Sequence, residues 1–388
     1  MAEGRAVRTQ FEELLGAALR ERPGLSDVHL VGGGHAWTVA QKVNTAMPTT
    51  VSSRAIEELA KELVGHDAFA EKLAGPDGAL ELAETILDRR CRLTFRNQMG
   101  GYAVTIRVLP AVIPPLDGPF YQANPVPAAV LDTVLSCRPG FGIIGGSTES
   151  GKPTLLAGLL AAVNRDVPGH IMTIEDPIEY LLSSDKCVIS QREVPTHMSS
   201  HAQGIRTAKR SNPSVLMISE LRDRKTMRAA IEMASQGHLV LATSHATNAM
   251  SVLNEILGAF EASERPLIEQ RLGQVFTFAM TQQLVTTRAG RVVPVRELLM
   301  GTNEIRSNIA TGALDDVERS MAGYDTTKHS FSLNQELRRL AEGDVLSRAQ
   351  ALKIAGGDGG DMAAAWHLTP DEVHVMIAEF DALWEVAS

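Results

Sequence analysis

One stretch of the chain has the residue types and the spacing of a phosphate-binding loop. Its residues are Gly146, Ser147, Thr148, Glu149, Ser150, Gly151, Lys152, Pro153 and Thr154. The stretch follows a short apolar run and precedes a helical pattern. The GxxxxGK spacing in that context points backbone N–H groups at a phosphate, helped by the helix N-terminus. Lys152 is expected to reach the β- and γ-phosphates of a nucleotide. The alternative is a chance glycine-rich turn, and the strand–helix context argues against it.

Two residues of this loop depart from the usual pattern. The position after Lys152 normally carries a serine or threonine whose hydroxyl binds Mg²⁺. Here it is Pro153, which has neither a hydroxyl nor a backbone N–H. A first helical turn tolerates proline, so we expect the fold to survive, and Thr154 is expected to point elsewhere because it lies about 100° further round the helix. Glu149 adds a carboxylate where an anion should bind, so Mg²⁺ or Lys152 must offset its repulsion.

Carboxylates follow the next predicted strand, at Glu175, Asp176 and Glu179. The carboxyl end of a strand faces the ligand crevice of an open α/β sheet. Acids there can hold a Mg²⁺-bound water or accept a proton from the attacking water. A solvated acidic turn is an equally open interpretation of these residues taken alone.

A second acid and two histidines lie further along the chain. Glu220 ends the apolar run 214–220 in the manner of a Walker B strand, and we expect Asp176 and Glu220 to be the candidate metal ligands. His238 and His245 flank another apolar run and are placed to sense the γ-phosphate. Two structurally satisfied histidines are the alternative.

The patterns along the chain predict four regions. Residues 1–110 mix helical and alternating patterns, which predicts a small α+β domain. Six prolines between 110 and 127 indicate a stiff extended linker over 111–127. Strands and helices alternate over 128–300, which predicts a mostly parallel sheet between helices. Residues 301–388 are predicted to be helical, with a glycine-rich break at Gly356–Gly360.

Composition excludes several classes of protein. The formal net charge of −9 argues against wrapping nucleic acid or binding an anionic membrane through bulk charge. The apolar runs are too short to span a bilayer, and the first residues lack a signal core, so we expect a cytoplasmic protein. The cysteines Cys91, Cys137 and Cys187 allow neither a disulfide framework nor a CxxC zinc site, and are interpreted as small buried thiols.

Taken together, the boxes at 174–179, 190–194, 220–223 and 237–245 resemble one family in order and spacing. They are similar to the Asp box, a following QREV-type run, the Walker B box and the His box of the type II/IV secretion and type IV pilus ATPases. The nearest branches are the PilT retraction motors and the DotB and TraJ types of the Dot/Icm and plasmid-transfer systems.

This resemblance implies a RecA-like P-loop NTPase core with a PAS-like N-terminal domain and a helical C-terminal extension. It implies ATP and Mg²⁺ as cofactors, and a homo-hexamer with nucleotide between the N-terminal and ATPase domains. Arg90, Arg92 and Arg107 occupy the strands whose arginines would reach the γ-phosphate, and Arg92 and Arg107 are the candidate catalytic residues. All three are also explained as solvated sheet arginines. The implied partners are inner-membrane platform or secretion-complex proteins. No direct binding of nucleic acid is expected, because the net charge is negative.

The sequence also departs from the family pattern. Ser219 replaces the glycine before Glu220, and Ala242 and Ser244 stand where glycine and leucine are usual. Two functions therefore stay open: an ATP-driven motor for pilus retraction or substrate export, and a nucleotide-binding subunit with weak catalysis. A RecA-like DNA motor is disfavoured by the acidic charge and the lack of a basic aromatic stripe.

Overall fold

The computed structural model describes residues 2–40, 43–73, 78–287, 289–322, 330–356 and 360–387. The chain divides into two compact units. The first contains Met1–Val112 together with Pro177–Leu181, and the second contains Ile113–Asp176 and Leu182–Ser388. Within the described ranges, no helix has the length and apolarity needed to cross a membrane.

The first unit is an antiparallel sheet with helices packed on its apolar side. Its elements are α1 (Ala2–Glu21), β1 (Leu25–Val31), β2 (His35–Ala40), β3 (Val43–Thr50), α2 (Ser53–Val64), α3 (His66–Lys72), β4 (Ala79–Ile86), β5 (Arg89–Gln98) and β6 (Gly101–Val108). The strand order is β3-β2-β1-β6-β5-β4. One side of the strands buries apolar residues such as Leu30 and Leu93 against Leu15 of α1 and Ile56 of α2. The other side carries polar residues, as strand alternation requires.

The second unit begins with a sheet-and-helix core. Its elements are α4 (Pro119–Gln122), α5 (Ala128–Leu135), β7 (Gly140–Gly145), α6 (Lys152–Asp166), β8 (Gly169–Glu175), β9 (Cys187–Glu193), α7 (His201–Ala208), β10 (Val215–Ile218), α8 (Arg224–Ser235), β11 (Leu239–Thr243), α9 (Ala249–Gly258), α10 (Arg265–Val275), β12 (Phe276–Thr286) and β13 (Val292–Met300). It continues with helices α11 (Asn303–Ala310), α12 (Leu314–Ala322), α13 (Leu333–Glu342), α14 (Arg348–Ala355), α15 (Gly360–Ala365) and α16 (Pro370–Ala387).

The seven-stranded sheet of this unit has the order β13-β12-β7-β11-β10-β8-β9. All neighbours from β12 to β9 are parallel, and only β13 runs antiparallel to β12. The central strands β7, β10 and β11 are buried along their whole length, because helices cover both faces of the sheet. Since parallel strands end at one edge, the residues that follow β7, β8, β10 and β11 are gathered there.

Several predicted elements are confirmed. The apolar run that ends at Glu220 contains β10, the apolar run between His238 and His245 contains β11, and the helical pattern after the phosphate loop is α6. The sequence patterns did not reveal β2, β3, β4, β9, β12 or β13. The segment predicted as an extended linker is not extended throughout, since it includes α4 and fully buries Tyr121.

The last helix begins with a capping box. Thr369 and Glu372 form the reciprocal hydrogen bonds of a capping box, with the Thr369 N–H donating to the Glu372 carboxylate at 2.8 Å. Val373 and Phe380 are buried on its inner face. The predicted break at Gly356–Gly360 falls mostly outside the described residues, which resume at Gly360.

Candidate functional site

The phosphate loop lies between β7 and α6, at the carboxyl edge of the sheet. Gly146 follows the strand with a φ of 147°, and a Cβ there would lie 2.4 Å from the Gln282 carbonyl oxygen, so only glycine fits. Gly151 has a φ of 81° and is the residue before the helix. Glu149 also adopts a positive φ, of 64°. Ser147, Thr148 and Glu149 are exposed at the top of the loop.

Lys152 is held inside the loop. Its ammonium group donates to the carbonyl oxygen of Gly146, and to that of Ser147 at 2.9 Å, while the side chain is buried. The Ser150 hydroxyl is also buried and has no hydrogen-bond partner among the described residues. A buried hydroxyl without a hydrogen-bond partner is costly. The Ser150 hydroxyl is therefore consistent with a loop that binds a phosphate.

An ion-pair cluster joins the ends of β8, β10 and β11. The Arg222 guanidinium donates to the Asp176 carboxylate at 2.7 Å and to the Glu220 carboxylate at 2.7 Å. The second oxygen of Glu220 lies 3.1 Å from Nε2 of His245. His245 follows β11. That strand lies between β7, which precedes the phosphate loop, and β10, which precedes Glu220. The structure thus brings three predicted site residues together: Asp176, Glu220 and His245.

The cluster keeps Glu220 ionised. Burial by itself would raise the pKa of Glu220, but the hydrogen bond and charge of Arg222, together with His245, outweigh it and hold that pKa below its usual value. The pKa of Arg222 is raised, because its two carboxylate partners outweigh its desolvation. A carboxylate that stays charged at neutral pH can accept a proton or bind a cation.

Ser219, which stands where the family has glycine, is fixed on three sides. Its N–H donates to the Ile174 carbonyl of β8 at 2.9 Å, and its carbonyl accepts from the Thr243 hydroxyl of β11. Its hydroxyl lies 3.2 Å from Nε2 of His201, a buried residue at the start of α7. The residue before Glu220 is thereby tied to three elements, and this restricts the backbone from which Glu220 projects.

Ser244, the other unusual residue near this edge, is accommodated by α9. Its hydroxyl donates to the Glu255 carboxylate at 2.6 Å and accepts from the Ala246 N–H at 3.0 Å. The serine therefore satisfies its own polar group locally, one residue before His245.

Three further predicted residues lie elsewhere. Glu175 is buried, and its carboxylate accepts hydrogen bonds from the Thr173 hydroxyl at 2.6 Å and from the Gln191 amide at 3.1 Å. His238 is at the opposite end of β11 from His245, where Nδ1 lies 2.8 Å from the Pro213 carbonyl and its own carbonyl accepts from Gly140. The structure does not bring His238 to the phosphate loop. Glu179 belongs to the segment that groups with the first unit.

The two predicted arginines lie on neighbouring strands of the first unit. Arg92 of β5 and Arg107 of β6 are directly opposite each other. Arg92 forms an ion pair with Glu81, and Arg107 donates to Asp27 at 2.8 Å. Both side chains are on the polar side of the sheet, so a role at a nucleotide stays a prediction for each.

The carboxylates fit Mg²⁺ only as part of a shared site. Mg²⁺ in nucleotide enzymes is bound by one or two carboxylates and completes its shell with phosphate oxygens and water. Asp176 and Glu220 approach one guanidinium from β8 and β10, so both face the same point. Pro153 offers no oxygen ligand from its side chain. Among the described residues, no group of three or more acidic, histidine or cysteine side chains is arranged to hold a metal ion.

Three residues around this site were not among the predicted site residues. Arg222 lies inside the box at 220–223, whose pattern assigns it no role, and in the structure it bridges the two acids. His201 is signalled by its place at a buried position of a short helix. Gln282 donates from its amide to the Ser150 carbonyl at 2.9 Å, and it follows the loop by more than 100 residues, so no local pattern connects them.

Comparisons with known proteins identify the class that this fold and site define. Residues 3–316 match the model of the family described as type II/IV secretion system protein. The chain belongs to that family. The second unit accordingly has the RecA-like α/β ATPase fold.

Individual relatives agree with this assignment. The uncharacterised protein YggR of Escherichia coli K12 is 32% identical over 304 residues, which cover 78% of this chain and 89% of YggR. The type IV pilus retraction ATPase PilT of Pseudomonas aeruginosa is 31% identical over 225 residues, covering 57% of this chain and 62% of PilT.

Solved structures are similar over most of the chain. A crystal structure of the pilus retraction motor PilT with bound ADP has a TM-score of 0.77 at 26% identity, covering 89% of this chain and 97% of that one. The Legionella pneumophila ATPase DotB has a TM-score of 0.77 at 24% identity, covering 90% of this chain and 96% of that one, which shows the shared fold. The resemblance to the PilT and DotB branch is confirmed.

Proposed function

We propose that this protein is an ATP-hydrolysing motor subunit of a type IV pilus or a type IV secretion system of the Dot/Icm or conjugative kind. The observation that carries the proposal is the meeting of Asp176, Glu220 and His245 at the sheet edge that also bears the phosphate loop. The similarity to PilT, whose solved structure holds ADP, supports a nucleotide as the ligand.

The residues divide the work of phosphoryl transfer to water. The loop's backbone N–H groups and Lys152 bind the β- and γ-phosphates, and Lys152 would exchange its two loop carbonyls for phosphate oxygens. Asp176 and Glu220 would hold Mg²⁺, which neutralises the charge that develops on the phosphate oxygens. Glu220, whose pKa is held below its usual value, would take a proton from the attacking water. His245 contacts Glu220 and would respond to loss of the γ-phosphate.

Assembly and partners form part of the same proposal. We propose a homo-hexamer in which Arg92 and Arg107 approach the γ-phosphate, with an inner-membrane platform or secretion-complex proteins as partners on the cytoplasmic side. The first unit is proposed to be a PAS-like domain, because helices pack on one side of its antiparallel sheet. The regions 1–110, 111–127, 128–300 and 301–388 stay our proposed division into N-terminal domain, linker, ATPase core and C-terminal helices.

A second candidate function is a nucleotide-binding subunit with weak catalysis. Pro153 favours it, since the usual metal-binding hydroxyl is missing. The two functions differ in turnover and not in nucleotide binding, so turnover and nucleotide binding must each be measured.

Two variants test the nucleotide site. Lys152→Ala should abolish ATP binding in calorimetry, because Lys152 is the cation of the loop's inner side. Glu220→Gln should bind ATP and lower steady-state phosphate release by about 10²- to 10⁴-fold, the range for loss of a general base. Lys186→Ala, an exposed lysine, is the control and should leave both quantities unchanged. Undiminished ATP affinity in Lys152→Ala would remove the basis of the proposal.

A further inference from the structure

Arg296 is a buried arginine to which the site described above gives no role. Arg296 of β13 is 1% exposed, and burial lowers its pKa to about 10, so it is charged at neutral pH. The acceptors of its hydrogen bonds are neutral, and Nη2 has no hydrogen-bond partner among the described residues. An apolar residue of similar volume would avoid this desolvation cost. The charge therefore requires an explanation from what it contacts.

The arginine fixes the orientation of Gln282. Arg296 Nε donates to the Gln282 side-chain oxygen at 2.9 Å, and a guanidinium can only donate. The amide oxygen of Gln282 must therefore face Arg296, and its NH₂ group must face the other way. That NH₂ group donates to the Ser150 carbonyl of the phosphate loop at 2.9 Å.

The contact with Ser150 orients a peptide of the loop. In a trans peptide the C=O and the following N–H point in opposite directions. Because Gln282 holds the Ser150 carbonyl, the N–H of Gly151 is turned away from Gln282. Inward-pointing N–H groups are what a phosphate loop uses to bind its anion. Pro153 supplies no N–H, so the donors that remain carry more of the binding.

Arg296 is itself anchored by the segment before α5 and by α13. Its Nη1 donates to the carbonyls of Asn124 and Pro125, each at 3.0 Å, and its guanidinium lies 5.7 Å from the ring centre of Tyr121. The Asn124 side chain donates to the Glu336 carboxylate and accepts from Arg339 at 2.7 Å. Arg339 also pairs with Glu336 at 2.8 Å. A continuous series of hydrogen bonds thus connects α13 with the phosphate loop.

We infer that Gln282 and Arg296 are positioning residues for nucleotide binding, which set the Ser150–Gly151 peptide so that the Gly151 N–H faces the phosphate. Asn124, Glu336 and Arg339 hold Arg296 in place, which makes α13 part of the scaffold of the site. The inference rests on the proposed nucleotide site and names residues that the phosphate-loop motif does not contain.

Calorimetric titration of the full chain with ADP in the presence of Mg²⁺ tests this inference. Gln282→Leu removes both hydrogen bonds and should weaken ADP binding about ten-fold, as expected for one lost hydrogen bond to a loop that holds a charged ligand. Gln283→Leu, the same substitution one residue along β12, is the matched control and should bind ADP as the wild type does. Gln282→Glu keeps an acceptor for Arg296 but loses the donor to Ser150, so it should bind as weakly as Gln282→Leu.

A double-variant cycle separates positioning from general stability. If Arg296 acts through Gln282, then adding Arg296→Met to Gln282→Leu should weaken ADP binding no further, whatever it does to the thermal midpoint. If the two substitutions reduced ADP affinity by independent factors that multiply in the double variant, Arg296 would not act through Gln282. Wild-type ADP affinity in both Gln282 variants would overturn the positioning role. Should Arg296→Met fail to fold, Arg339→Ala takes its place, since its side chain is half-exposed. It should weaken ADP binding in the wild-type background and leave ADP binding unchanged in the Gln282→Leu background. A wild-type chain that binds no ADP would instead refute the proposed function itself.

Discussion

Pro153 is the residue that most alters the expected chemistry. It is exposed at the start of α6, and the helix forms from Lys152 onward in spite of it, as a proline in a first turn allows. The proline therefore affects ligand binding at the site and not the folding of the helix. The position lacks the hydroxyl that binds Mg²⁺ and the N–H that binds a phosphate oxygen, and each lost hydrogen bond to a charged group costs about 1.5–3 kcal/mol.

Restoring the hydroxyl should raise turnover. We expect Pro153→Ser to increase the steady-state rate of phosphate release, because Mg²⁺ stabilises charge that develops in the transition state more than it stabilises bound ATP. ATP affinity in the native chain should survive, weakened by about ten- to a hundred-fold relative to the variant. Equal turnover in native chain and variant would show that other residues, such as Asp176 and Glu220, hold the metal sufficiently.

Glu149 adds a second effect at the same loop. Its φ of 64° is one that glycine adopts without strain, so Glu149→Gly should fold while it removes a carboxylate from the ligand's surroundings. Combined with Pro153→Ser it should raise turnover further. The two effects need not add, since both act on one ligand. A double variant no faster than Pro153→Ser would show that the Glu149 charge is already offset.

At the scale of helices and strands, the sequence predicts the short, buried strands that lie next to a motif. β10 and β11 are continuous apolar strands inside the runs that end near Glu220 and His245, so the sequence pattern locates both. β12 carries Gln282, yet its register against β7 places Thr281 beside Gly145 through a pairing more than 100 residues apart. Hydrophobic periodicity contains no information about such a pairing. The contacts of Arg222, Gln282 and His201 could therefore not be predicted.

His201 is a buried titratable residue at the start of α7, where it contacts Ser219 after β10. Burial lowers the pKa of His201, and the nearby Arg222 lowers it further, while Asp176, Glu220 and Asp223 act in the opposite direction. The neutral ring lies beside the Ser219 hydroxyl. A neutral histidine inside the fold that becomes charged when the chain unfolds makes stability depend on pH.

The sign of that dependence gives a prediction. Because the pKa of His201 is lower in the folded chain, the unfolded chain takes up its proton first as the pH falls through about 6.5, and stability is lost on acidification. His201→Phe should remove this loss. The difference in thermal midpoint, His201→Phe minus wild type, should therefore become larger as the pH is lowered from 7 to 5. His374→Phe, at an exposed position, is the control and should show no such increase; a pH-independent difference in His201→Phe would contradict the buried neutral ring.

At the scale of the whole molecule, two units with separate cores form the chain. Each carries part of the machinery that the family resemblance implies: the phosphate loop and acids in the second unit, and the paired arginines in the first. Arg92 and Arg107 are charged donors on one sheet face, and each is already neutralised by an acid of its own unit. In the proposed motor, Arg92 and Arg107 would exchange these partners for a γ-phosphate.

The arginines can be tested by turnover and assembly together. If they approach the γ-phosphate in the proposed hexamer, Arg92→Ala and Arg107→Ala should each lower turnover by roughly 10³-fold or more, the scale of an arginine that stabilises transferring phosphoryl charge. Sedimentation should show the assembly state of the wild type, because their ion pairs are partly exposed and such pairs contribute little to stability. Arg96→Ala is the matched control, since Arg96 lies on the same side of β5 and contacts Thr105, and it should keep wild-type turnover. Wild-type turnover in both arginine variants would show that Arg92 and Arg107 are surface residues without a part in the reaction. If turnover and assembly were lost together, the two arginines would belong to the subunit interface and not to the reaction.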